Sequence, residues 1–146
     1  MDGSDGRAWD DMALTSLAGG MSLANAGLGA VHGLAGVIGG LTGAQHGALC
    51  GALLPEVLRA NRADAAADAP GRDRLDWVVQ CISELHGDLD GFGQWARDHG
   101  LGRLSDLGLR PADHARVAAD AKTSSSYQSN PSDLDDATLR EILDTS

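Results

Sequence analysis

From Met12 to Pro55 the chain carries no Asp, Glu, Lys or Arg. A run of that length without a charge is buried in a folded molecule, either among protein helices or in a bilayer. It contains small-xxx-small steps at Gly29/Gly33, Gly36/Gly40, Gly43/Gly47 and Gly47/Gly51, which suit close helix approach in either setting. Composition separates the two. The run is built from Gly and Ala, not from Leu, Ile and Phe, it is interrupted by Asn25, His32, Gln45 and His46, and no aromatic belt flanks it. Glycine costs roughly 1 kcal/mol per helical site relative to alanine, so these helices need partners. The reading is a protein core with no membrane; a small membrane protein is the weaker alternative.

His32 and His46 are the only side chains in that run that titrate near neutral pH. They stand fourteen residues apart, and each is followed by glycine. Neutral imidazole is the commonest metal ligand, accepted by both iron and zinc. Two isolated histidines in an apolar run therefore suggest a metal site. A hydrogen-bonded core histidine is the bland alternative, and spacing alone leaves both open.

The surrounding residues carry more. Ala24 to Gly33 (ANAGLGAVHG), then His46-Gly47-Ala48 and Leu53-Leu54-Pro55, closely resemble the C-terminal domain of the iron-containing (group III) alcohol dehydrogenases. The resemblance is close over residues 8 to 60 and follows helix pattern more than letters from Asp73 to Asp120. It returns in Ser124 to Pro131 and the short helix that follows. It implies that His32 and His46 are metal ligands, with iron (Fe2+) or zinc as the metal. It also implies two further ligands, an Asp and a His one helical turn apart on an earlier helix, and this chain shows no such pair before His32. Some members have a further active-site histidine where this chain has Gly36; others read HGFAG there, as His32 to Gly36 nearly does. The fold implied is an all-α helical bundle whose first helices, and the family's N-terminal nucleotide-binding domain, are missing. Residues 8 to 146 then form a partial C-terminal domain behind a disordered lead-in at residues 1 to 7.

The elements expected from pattern are helices throughout, with no convincing strand. Asp5 suits an N-cap, and Trp9, Met12, Ala13, Leu17, Met21 and Ala24 recur at helical spacing. The break falls at Asn25 to Gly27. A second helix over Leu28 to Ile38 turns His32 inward, and Gly39, Gly40 and Gly43 form a loop. A third helix from Ala44 to Asn61 has His46 in its first turn, with a kink at Pro55. After a polar connector, Leu75, Val78, Val79, Ile82 and Leu85 form one stripe. A short helix from Asp88 to His99 points Phe92 and Trp95 inward. Leu101 to Leu109 is a link, and Pro111 opens a helix that runs to Ala121. A serine-rich loop follows, and Ser132 caps a last helix whose apolar positions are Leu134, Leu139, Ile142 and Leu143. His86, His99 and His114 read as ordinary surface residues.

A net charge of −10 over 146 residues argues against a nucleic-acid surface, since binding its phosphates needs clustered Lys and Arg, so no nucleic acid is expected. Cys50 and Cys81 are too few for a disulfide framework and sit in apolar helical patterns. The expectation is reduced, buried thiols in a cytoplasmic protein. The N-terminus lacks the basic and apolar regions of a signal peptide. Gly27-Leu28-Gly29 is not a dinucleotide fingerprint, since no strand precedes it and His32 stands where the third glycine belongs.

By resemblance, then, the chain is part of an alcohol dehydrogenase that interconverts small alcohols and aldehydes with NAD(P). The cofactor would be bound by the missing domain. By itself the chain is expected to be inactive. Its expected partner is the N-terminal nucleotide-binding portion, or a second copy through self-association. One half of a split enzyme and a non-catalytic helical binding module are the alternatives.

Overall fold

The computed structural model describes residues 5–146. Among these there are seven α-helices and no β-strand: α1 (Gly6–Ala26), α2 (Ala30–Thr42), α3 (His46–Asp64), α4 (Arg72–His86), α5 (Leu89–Asp98), α6 (His114–Thr123) and α7 (Asp136–Thr145). Short 3-10 turns lie at Pro111–Asp113 and Tyr127–Ser129. The fold is all-α, as the sequence predicts. The expected lead-in falls partly outside the described residues; inside them, α1 begins at Gly6, two positions ahead of Ala8. The Asp5 carboxylate caps it by accepting the N–H groups of Arg7 at 3.0 Å and Ala8 at 3.3 Å.

The second and third helices form the centre of the molecule. Leu34, Ala35 and Ile38 of α2 are fully covered, as are Leu49 and Leu53 of α3. They share one core with Val117, Ala118 and Ala121 of α6, Tyr127, and Leu134, Leu139, Ile142 and Leu143 at the chain's end. A smaller core joins Leu58 of α3 to Val79 of α4 and Leu89 of α5. Burying each of the leucine, isoleucine and valine side chains contributes about 1.5–3 kcal/mol, which holds glycine-rich helices that propensity alone would not.

Several expectations need correction. The uncharged run is core only from Ala30 onward. Every residue of α1 is exposed, including Trp9, Met12, Leu14, Leu17, Met21 and Leu23, because no described element covers this helix. Gly39 and Gly40 continue α2; only Gly43 turns, at φ 73°, and donates its N–H to the Gly39 carbonyl at 2.9 Å. The third helix runs from His46 to Asp64, not from Ala44 to Asn61. On α4, Leu85 is 80% exposed, and on α5 Trp95 is 45% exposed, so neither belongs to its helix's inner face. Asp135 caps α7 in place of Ser132, which is buried. His114 is not a surface residue: it is buried at the start of α6, with Nδ1 2.6 Å from the Asp144 carboxylate.

No single helix among the described residues is long and apolar enough to cross a membrane; α1 and α2 meet both conditions only together, and they are bent by 95° between them.

Candidate metal centre

Both histidines sit at helix starts that the sequence sets up. Gly27, at φ 74°, ends α1. The chain turns, and α2 opens at Ala30 with His32 in its first turn. The Asn130 side chain supplies the missing cap: its Oδ1 accepts the Ala30 N–H at 3.0 Å from one hundred residues away in sequence. The same amide donates to Asn61 Oδ1 at 2.7 Å and to the Ser132 carbonyl at 2.7 Å, and it accepts from Asn61 Nδ2 at 3.2 Å. Asn61 is a buried residue of α3. One amide pair thus ties the helix carrying His32 to the helix carrying His46.

Packing explains the glycine after His32. A methyl group at Gly33 would stand 2.9 Å from Tyr127 Cβ and 3.3 Å from its Cα, so the Tyr127 turn could not sit on α2. Tyr127 is itself buried and donates its hydroxyl to the Leu134 carbonyl at 3.3 Å. Gly47 after His46 is different, since nothing lies within 4 Å of the position its side chain would take.

The turn at Gly43 folds α3 back along α2, and the two rings meet with centroids 5.3 Å apart and planes tilted by 49°. His32 is half-buried and His46 exposed. Burial, and secondarily the neighbouring His46, holds the His32 imidazole below its ordinary pKa. That favours the neutral ring, the form in which an imidazole donates its lone pair to a metal.

A third donor joins them. Cys50 lies one turn after His46, and its Sγ is 3.4 Å from His46 Nε2. One donor atom from each of His32, His46 and Cys50 lies within 4.8 Å of the other two. Cys50 is a free thiol and only half-buried, so it is not the closed core cysteine the sequence suggested. Burial raises its thiol pKa. The signal was present in His46-x-x-x-Cys50, because residues four apart share a helix face. Two imidazoles and a thiol are a donor set that suits zinc and other borderline divalent metals. A groove of ≈ 420 Å³ runs beside them, lined by Ala30, Leu54, Val57 and Leu75 together with His32 and Cys50. A separate cleft of ≈ 410 Å³, lined by Glu56, Arg59, Asp90 and Arg97, touches neither histidine.

The architecture is that of a helical domain with convergent metal-donor side chains on two adjacent helix starts. Residues 1–146 match the family described as Fe-containing alcohol dehydrogenase family, C-terminal, and the chain belongs to that family. Over 97% of its length it is 32% identical to 1,3-propanediol dehydrogenase of Citrobacter freundii, covering 38% of that protein. Over 96% of its length it is 30% identical to lactaldehyde reductase of Escherichia coli strain K12, covering 37% of it. A crystal structure of 1,3-propanediol oxidoreductase superposes with a TM-score of 0.74 at 26% identity, over 97% of this chain and 38% of that one. The chain therefore spans well under half the length of these relatives.

Proposed function

We propose that this chain supplies the C-terminal helical part of a metal-dependent alcohol dehydrogenase, with His32 and His46 as two of its metal ligands. The approach of two imidazoles from separate helices to 5.3 Å carries the reading. Iron or zinc fits this pair. When bound, the metal supplies Lewis-acid polarisation of an alcohol or carbonyl oxygen. The chain's own residues do the rest of what can be assigned here. Asn130 and Asn61 hold the two ligand helices in register. Partial burial favours the neutral form of His32, and the groove lined by Leu54, Val57 and Leu75 offers apolar contact beside the donors.

Alcohol–aldehyde interconversion with NAD(P) comes from the family and extends to this chain as a proposal. NAD(P) and the remaining ligands belong to the N-terminal portion that the relatives have and these residues do not span. The substrate class is a small alcohol or aldehyde.

The expected outcome is that the 146-residue chain by itself gives no NAD(P)-dependent alcohol oxidation or aldehyde reduction. It should bind a divalent metal weakly, with binding lost in His32→Ala and in His46→Ala. Steady turnover by the chain alone that disappears in His32→Ala would overturn the division of labour. Metal binding that survives both substitutions would overturn the site.

A further inference from the structure

We infer that Cys50 is a third protein ligand, so that His32, His46 and Cys50 form a three-donor site within this chain that selects zinc or cobalt over iron(II). The inference deepens the metal-site reading above and rests on it. In a tetrahedral site with metal–nitrogen bonds of about 2.0–2.1 Å and metal–sulfur bonds of about 2.3 Å, a nitrogen and a sulfur ligand lie about 3.5 Å apart. The His46 Nε2–Cys50 Sγ separation of 3.4 Å is already that edge. One helix imposes it, because His46 and Cys50 are four residues apart on the first turns of α3. The third donor comes from α2 and lies within 4.8 Å of both, so its approach to bonding distance is a side-chain adjustment of about an ångström.

The three donors open onto solvent at His46 and onto the apolar groove at His32 and Cys50. In the isolated chain water fills the position left open, and in a complete enzyme that open side is where the N-terminal portion's donors would enter. Thiolate with imidazole is a softer set than imidazole with carboxylate, and softness sets the preference for zinc over iron(II). Binding displaces the thiol proton: the Cys50 S–H bond breaks, a sulfur–metal bond forms, and the proton leaves to solvent with no change of oxidation state. The other thiol, Cys81, lies on α4 and takes no part.

Cobalt(II) is the probe, since a thiolate ligand gives a near-ultraviolet sulfur-to-cobalt charge-transfer band and the visible d–d bands report geometry. The 146-residue chain titrated with cobalt(II) should show both, in a tetrahedral pattern. The charge-transfer band should vanish in Cys50→Ser and persist in Cys81→Ser, and zinc should displace cobalt stoichiometrically. Zinc affinity should fall at least tenfold in Cys50→Ser, with iron(II) affinity changed less than threefold. In the unmutated chain, zinc should protect Cys50, and not Cys81, from alkylation mapped by mass spectrometry, which needs no variant to fold. Cobalt bound through both histidines with no thiolate band, or with Cys50 still alkylated, overturns the role of Cys50 and leaves the two-histidine site standing. Failure of cobalt and zinc to bind at all overturns both.

Discussion

Asn130 makes four hydrogen bonds at once, to Ala30, twice to Asn61, and to Ser132. A serine-rich loop near the end of the chain thereby sets the position of His32 near its beginning. Asn130→Ala removes the α2 cap and strands the buried Asn61 amide. An unpaired buried polar group costs about 1–3 kcal/mol, and losing a cap adds about 1. Urea unfolding of Asn130→Ala should therefore show a loss of at least about 2 kcal/mol; a change below about 0.5 kcal/mol would mean that water replaces the amide at no cost. Sequence could not supply this contact, since an Asn before Pro131 reads only as a turn. It did single out the two histidines whose rings the fold brings together, because an uncharged run leaves few residues able to do chemistry. It missed Cys50 by treating a thiol among apolar neighbours as filler, although the four-residue step from His46 was visible. The two His-Gly pairs look alike as letters and differ in cause: Gly33 admits Tyr127, while Gly47 faces open space.

At the scale of elements, periodicity located every helix among the described residues and misjudged some of their faces and ends. The apolar stripe of α7 is buried throughout, at Leu139, Ile142 and Leu143, as is Leu134 just before the helix. The stripe of α4 ends in solvent at Leu85, because α5 covers only part of that helix and periodicity carries no information about where a partner stops. Gly39 and Gly40 read as loop by propensity and are helical because α2 is clamped between α3 and α6, an instance of tertiary packing overriding a cost of about 1 kcal/mol each. The last helix shows a further competition. Ser132 and Asp135 both qualify as caps, and Asp135 takes the role, accepting the Thr138 N–H at 2.7 Å. That bond, first among its causes, depresses the Asp135 pKa below the usual aspartate value. The folded state therefore binds this proton less readily than the unfolded chain. The cap's contribution is complete above the unfolded aspartate pKa, near 4, and fades as pH falls through the lower folded value. Melting temperature should drop on acidification from pH 5 to pH 3, and Asp135→Asn should flatten part of that slope, since asparagine caps without titrating. A slope identical in both proteins would show that α7 draws nothing from the ionised cap.

The described residues form two apolar cores and one exposed helix. Trp9, Met12, Leu14, Leu17, Met21 and Leu23 are each between 50 and 66% exposed along α1, which also contains Gly19 and Gly20. A 21-residue helix with two central glycines has little stability of its own. Apolar surface of more than a few hundred Å² marks a place where something docks or where copies associate. The sequence flagged this stretch as core from its lack of charge, which is a correct statement about what α1 needs and says nothing about which polypeptide provides it. The relatives are longer, this chain matches about 38% of them, and their remaining portion is the occupant expected on α1. Alone, the chain should self-associate or melt early. Light scattering should show species larger than a monomer at micromolar concentration. Adding a polypeptide equivalent to the N-terminal portion of 1,3-propanediol dehydrogenase should reduce association and raise the melting temperature. A partner at a hundredfold excess over its Kd, binding only the folded state, stabilises by about 2.7 kcal/mol, which for a chain of this size is a shift of about 5–10 °C. A monodisperse monomer with a sharp, high transition and no response to that polypeptide would show that α1 stands without a cover. The domain would then close its own core, and the function to pursue would be that of a self-sufficient helical binding module.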